Sequence, residues 1–161
     1  MASVAFSPNG ALLATGSDNG TVILWNVGDP TKPSRVGPAL DAAAAAASVS
    51  IAFSPDGLLL ATATSGGSVA LRDVSDPAAP VQLGQPVGGT PSAETLVFFP
   101  DGRKLAVGGW NGAIAVADLE RLLNLRDHAT DRACAITGRG LSREEWDQYV
   151  PDLDYEKTCP G

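Results

Sequence analysis

Apolar residues in the first 118 positions fall into short runs, among them Val4-Ala5-Phe6, Leu12-Leu13-Ala14 and Val22-Ile23-Leu24-Trp25. Clusters of Gly, Pro, Asn, Asp and Ser separate them, a pattern that predicts short strands and tight turns. Ser7-Pro8-Asn9-Gly10 reads as a turn because Pro presets φ, Asn tolerates the next position and Gly accepts positive φ. It joins a strand ending at Phe6 to one starting near Leu12, as its counterparts join Phe53 to Leu59 and Phe98 to Lys104. Asp18-Asn19-Gly20, Ser65-Gly66-Gly67 and Trp110-Asn111-Gly112 predict hairpins of type I′, which need positive φ twice.

These elements repeat. Val4-Ala5-Phe6-Ser7-Pro8-Asn9-Gly10 returns as Ile51-Ala52-Phe53-Ser54-Pro55-Asp56-Gly57 and as Leu96-Val97-Phe98-Phe99-Pro100-Asp101-Gly102, at offsets of 47 and 45 residues. Leu13-Ala14-Thr15-Gly16 matches Leu60-Ala61-Thr62-Ala63 and Leu105-Ala106-Val107-Gly108 in the same register. Fourth strands are expected at Val36–Leu40 and Val81–Val87, after loops built on Gly28-Asp29-Pro30 and Ser75-Asp76-Pro77. A period near 45 residues with four short strands is the signature of a propeller blade.

Alternation along the third strand sharpens this. Val22 and Leu24 point one way, Ile23 and Trp25 the other, and both sets are apolar. A sheet apolar on both faces must lie between other sheets. The chain resembles the WD-repeat β-propeller family, with the tryptophan-aspartate position reading Trp25-Asn26, Arg72-Asp73 and Ala117-Asp118. The glycine-histidine pair that usually opens a repeat is absent, and the alanine-rich stretch 41–48 stands in its place before the second copy. The expected fold is all-β: three antiparallel, four-stranded-type propeller blades at 3–48, 49–92 and 93–118, followed by a short helical C-terminal tail at 119–161. Propellers use about four to eight blades. The chain is therefore expected to be the C-terminal piece of a longer propeller or to complete a ring by self-association, truncation being the simpler case.

Charge separates the tail from the repeats. Residues 1–117 carry 8 acids and 5 bases, whereas the shorter stretch 118–161 carries 10 acids and 6 bases. Leu119, Leu122, Leu123, Ala129, Ala133 and Ile136 form a rough helical stripe. Ser142-Arg143-Glu144-Glu145 is a capping box opening a second short helix through Trp146 and Tyr149. The run from Ala133-Cys134 through Gly138-Arg139, Trp146 and Tyr155 to Cys159-Pro160 resembles a C-terminal extension of actinobacterial WD-repeat proteins. That resemblance implies a sensor or scaffold end of a multidomain signalling protein.

The net charge of −7 argues against nucleic acid as a partner. No apolar run is long enough to span a membrane, and the N-terminus lacks the pattern of a secretory signal, so a cytoplasmic location is expected. Cys134 and Cys159 enclose 24 residues and admit one disulfide or two free thiols. A bridge would add ~3 kcal/mol by loop closure and would favour an extracytoplasmic face. His128 lies six positions from Cys134, on a different helical face, so the two do not suit a nucleophile–base pair. The aspartates at 18, 56, 73, 76, 101 and 118 read as turn hydrogen-bonders, and no cofactor or metal site is expected. Trp25 reads as a core residue and Trp146 as packing within the tail. Trp110, at a hairpin tip where its counterparts are Asp18 and Ser65, reads either as covered by a neighbouring segment or as a partner-binding anchor. The expected function is a non-catalytic protein-interaction scaffold, with Asp18, Asn19, Ser65, Trp110 and Asn111 on the partner-binding loops. A gene fragment without independent function and a propeller-based enzyme are the alternatives.

Overall fold

The computed structural model describes residues 3–42, 49–84, 87–88, 93–127 and 142, and its strands begin and end where the turn chemistry dictates. A first sheet holds β1 (Ser3–Phe6), β2 (Leu12–Gly16), β3 (Thr21–Asn26) and β4 (Ser34–Asp41) in that order, all antiparallel. The second holds β5 (Val49–Phe53), β6 (Leu59–Thr64) and β7 (Ser68–Asp73), with β8 (Val81–Gln82) and β9 (Val87–Gly88) both paired to β7. The third holds β10 (Ala93–Phe98), β11 (Lys104–Gly109) and β12 (Ile114–Asp118). These are three propeller-type blades, here called blades 1 to 3.

The turn after each innermost strand is the same object three times. The amides of Gly10, Gly57 and Gly102 donate to the carbonyls of Ser7, Ser54 and Phe99 at 2.8–2.9 Å, with glycine φ of 71°, 75° and 70°. In blade 2 the buried Ser54 hydroxyl donates to Asp56 and accepts from the Leu59 amide at 2.9 Å, while Asp56 also accepts from the Leu58 amide at 3.0 Å. Blade 1 repeats this with Ser7 and Asn9. Blade 3 keeps only the Asp101 bond to the Arg103 amide, because Phe99 has no hydroxyl.

The fourth strand differs from expectation in blade 2. It is split into β8 and β9, with Gly84 between them at φ 70°. Its counterpart Gly37, at φ 66°, accompanies a register shift in β4 and leaves that strand whole.

Cross-strand register assigns the faces, because directly paired residues share one. Ala5, Ala14, Val22, Leu24 and Leu40 of blade 1 turn toward Val49, Ile51, Phe53 and Leu60 of blade 2 and form one core cluster with them. The opposite face of blade 2, carrying Ala61, Ala63, Val69 and Leu71, is buried as well. Strand β5 packs against both β1 and β10, so blade 2 lies between the others. Every residue of β6 is buried. Blades 1 and 3 bury one face each, so the expectation of two covered faces holds for the middle blade alone.

Arg72 shows how closely blades 1 and 2 meet. Its guanidinium is buried and donates to the Asp41 carbonyl of blade 1 and to Thr62 Oγ1 at 3.4 Å. Burial pushes its pKa down from the ordinary arginine value, with the Asp41 charge pulling the other way.

The chain divides into two compact units, Met1–Leu119 and Glu120–Gly161. The second opens with helix α1 (Glu120–Asp127), whose first turn carries Glu120, favourable at a helix N-terminus. The rest of the expected tail, including His128, Cys134, the partners of Ser142 in the capping box, Trp146 and Cys159, lies outside the described residues.

Two predictions follow from this packing. Leu60→Ala, at the blade 1–blade 2 core, lowers unfolding free energy by ~2–5 kcal/mol in denaturant titration, whereas Val81→Ala on the exposed strand β8 changes it by less than ~1 kcal/mol. Arg72→Ala costs ~1–3 kcal/mol in the same titration, because it strips the Asp41 carbonyl of a buried charged donor.

Candidate functional site

The three hairpins joining second to third strands sit at one end of adjacent blades, opposite the Ser-Pro-Asn/Asp-Gly turns, as antiparallel connectivity requires. Each is closed by a glycine amide: Gly20 to the Ser17 carbonyl at 3.1 Å, Gly67 to Thr64 at 2.8 Å, Gly112 to Gly109 at 3.1 Å. Positive φ falls on Gly20 (82°), Gly67 (84°) and Gly112 (77°), and Gly66 is not among the positive-φ glycines. This corrects the type I′ expectation. The glycine is the fourth residue of the turn, as in the three-residue hairpin with a glycine bulge, so one left-handed position suffices.

Asn19 and Asn111 hold the turns from within, their Oδ1 atoms accepting from the Thr21 and Ala113 amides at 3.1 and 3.0 Å. Asp18, Asn19 and Asn111 are exposed, and Ser65 is half-buried. Trp110 stands out at 73% exposure, a large ring at the tip of a turn. The hairpin end thus brings the five expected loop residues onto neighbouring turns.

At the foot of the Trp110 hairpin lies a shallow cavity of about 340 Å³, lined by Glu94, Thr95, Gly108, Gly112 and Ile114 among others. The sequence reading did not single it out. Its signal was the missing side chain at Gly108, where a Cβ would come 2.9 Å from Thr95 Cγ2.

Asp56, Asp73, Asp76 and Asp101 accept backbone amides two residues on, at 2.9–3.0 Å, in the turn role expected of them. Asp29 does the same with both the hydroxyl and the amide of Thr31, and these bonds hold its pKa below the ordinary 3.8. No group of three or more metal-ligating side chains converges among the described residues. No helix among them is long and apolar enough to cross a membrane. Trp25 is half-buried on the open face of blade 1, its Nε1 donating to Thr15 Oγ1 at 3.0 Å. That corrects its assignment to the core.

Three antiparallel blades of this repeat length and packing make the protein part of a β-propeller. The family model for the WD domain, G-beta repeat, matches residues 2–26 and 43–73, in the part of the chain that forms the first two blades. No match was found among curated proteins. Solved structures with the same fold include a functionally unknown protein from Desulfotomaculum acetoxidans (19% identity, TM-score 0.59, 71% of this chain and 40% of that one). Hydrazine synthase from Kuenenia stuttgartiensis is similar over 74% of this chain and 32% of its own (21% identity, TM-score 0.59). Sqt1 from Saccharomyces cerevisiae is similar over 71% and 30% (24% identity, TM-score 0.61). The chain thus matches between 30% and 40% of the length of these structures.

The Asp29 turn makes a pH prediction. A carboxyl group whose folded pKa is depressed favours the native state above its unfolded value and loses that contribution as pH falls through the folded value. NMR titration should therefore place the Asp29 midpoint below 3.8, and Thr31→Ala should return it toward that value.

Proposed function

We propose that the chain is a non-catalytic protein-interaction module of a larger WD-repeat signalling protein, acting in the cytoplasm. Its contact surface is the hairpin end bearing Asp18, Asn19, Ser65, Trp110 and Asn111. The observation that carries this reading is Trp110. Its ring is 73% exposed at a turn that its own asparagine and glycine already close, so the turn does not need it. Trp is among the side chains that dominate binding energy at protein interfaces, especially when surrounded by contacts that exclude water. Asn111 on the same turn and Ser65 on the adjacent one supply polar groups beside it, and Asp18 and Asn19 carry the polar character to the turn beyond. WD repeats are typically interaction scaffolds, and the partial coverage of the matched propellers fits a part of a larger assembly.

Affinity capture with the full parent protein tests the reading. Trp110→Ala should reduce partner capture at least ~10-fold, the loss of one interface anchor. It should leave the thermal midpoint within ~2 °C, because an exposed turn residue contributes little to stability. Undiminished capture by the folded variant removes Trp110 from the interface.

A further inference from the structure

The two blade–blade junctions within the structure are one junction used twice, and blades 1 and 3 each leave one half of it uncovered. At the turn level, Pro8 of blade 1 lies against Gly57 of blade 2, with Cδ 3.4 Å from where a Cβ would stand. Pro55 of blade 2 meets Gly102 of blade 3 in the same way at 3.6 Å. The next members of this series are Pro100, which is exposed, and Gly10, around which nothing comes within 4 Å of the Cβ position.

The strand level repeats the lesson. Gly16 of blade 1 makes room for blade 2: a Cβ there would be 3.0 Å from Ile51 Cδ1 and 3.3 Å from Val49 Cβ. The Ser3 hydroxyl beside it donates to the Val49 carbonyl at 2.5 Å. In blade 3 the counterparts of Ser3 and Gly16 are Thr95 and Gly108, paired in register on the open face, and they line the 340 Å³ cavity. The counterpart of Ile51 is Val4, 53% exposed on the open face of blade 1. Val22, which shares a core cluster with Ile51, corresponds to Ile114, 77% exposed at the cavity rim.

We propose that these open faces join a second copy of the chain: Val4 of one copy enters the cavity at Thr95, Gly108 and Ile114 of the other, and Pro100 seats on Gly10. Charge does not oppose it. Val4, Phe6, Leu13 and Ile23 on one face meet Val97, Ala106, Ile114 and Val116 on the other. A second copy is the favoured occupant because this one chain carries both halves matched position by position. The contact is head-to-tail, so it closes only if a second, equal junction forms. Two such junctions between two copies give six blades, within the range of known rings. This inference is independent of the role assigned to Trp110.

Light scattering on the purified 161-residue chain reads the outcome directly. Twice 16.4 kDa is expected, falling toward 16.4 kDa on dilution. Val4→Arg and Ile114→Glu alter exposed side chains; each should give a folded monomer by circular dichroism, and mixing the two variants should restore the two-copy mass. On the unaltered chain, deuterium uptake at 4–6 and 114–116 should quicken on dilution. A monomer at every concentration would mean that other blades cover these faces, and overturns the proposal. So does an open series of higher masses, or a dimer that survives both substitutions.

Discussion

A β-sheet with apolar side chains on both faces is stable only when another sheet covers each of them, and most of this molecule depends on that requirement. Blade 2 satisfies it. Its second strand is buried from Leu59 to Thr64 because blade 1 closes on one side and blade 3 on the other. Close approach is possible because small residues line the contact. At Gly16 a side chain would collide with Ile51 and Val49, and at Gly37 a Cβ would stand 2.8 Å from the Pro77 and Ala78 carbonyl oxygens. Glycine at these places sets the distance between sheets, and the branched residues opposite then fill the space.

The features legible in the sequence were those whose cause is local. Strand ends at Phe6, Phe53 and Phe98 follow from turns that hold themselves together within four to six residues, through Asn9, Asp56 and Asp101 and a left-handed glycine. The hairpin type was misread because the dipeptide signal counts two glycine-like positions, whereas the chain uses one, after the turn. The open faces of blades 1 and 3 depend on rank within the row. Val22 and Ile114 occupy the same repeat position, yet one is buried and the other bare. No local pattern could tell them apart. The cavity at Gly108 was equally hidden, because it lies on a face that blade 2 does not cover.

The erosion of the tryptophan-aspartate pair has a physical counterpart across the strand. In blade 1 the Trp25 indole donates to Thr15, and in blade 2 the Arg72 guanidinium takes the same slot and donates to Thr62. Blade 3 carries Ala117 there, and the acceptor position is Val107, which offers no oxygen. Donor and acceptor are kept or lost together, so no polar atom is stranded in the interface. Arg72 is the bolder solution, because a buried cation needs a charge-tolerant partner, and the Asp41 carbonyl of the preceding blade provides it. The substitution therefore ties two blades together where the tryptophan bond stays within one.

These constraints also divide the surface by what it is free to do. Along the blade faces, Gly16 and Ile51 meet at the blade 1–blade 2 junction, where a change at either disturbs the fit between sheets, and Gly108 and Val4 hold the corresponding positions on the open faces. The hairpin tips carry no such burden. Asp18-Asn19, Ser65-Gly66 and Trp110-Asn111 share little beyond the glycine that follows, because that glycine and its hydrogen bond suffice to close each turn. Residues relieved of any duty to the fold are those a partner can select, and an unsupported indole in such a position gains its free energy only when something covers it. Packing thus fixes the faces, and the proposed recognition falls on the rim, where residues can vary without loss of the fold.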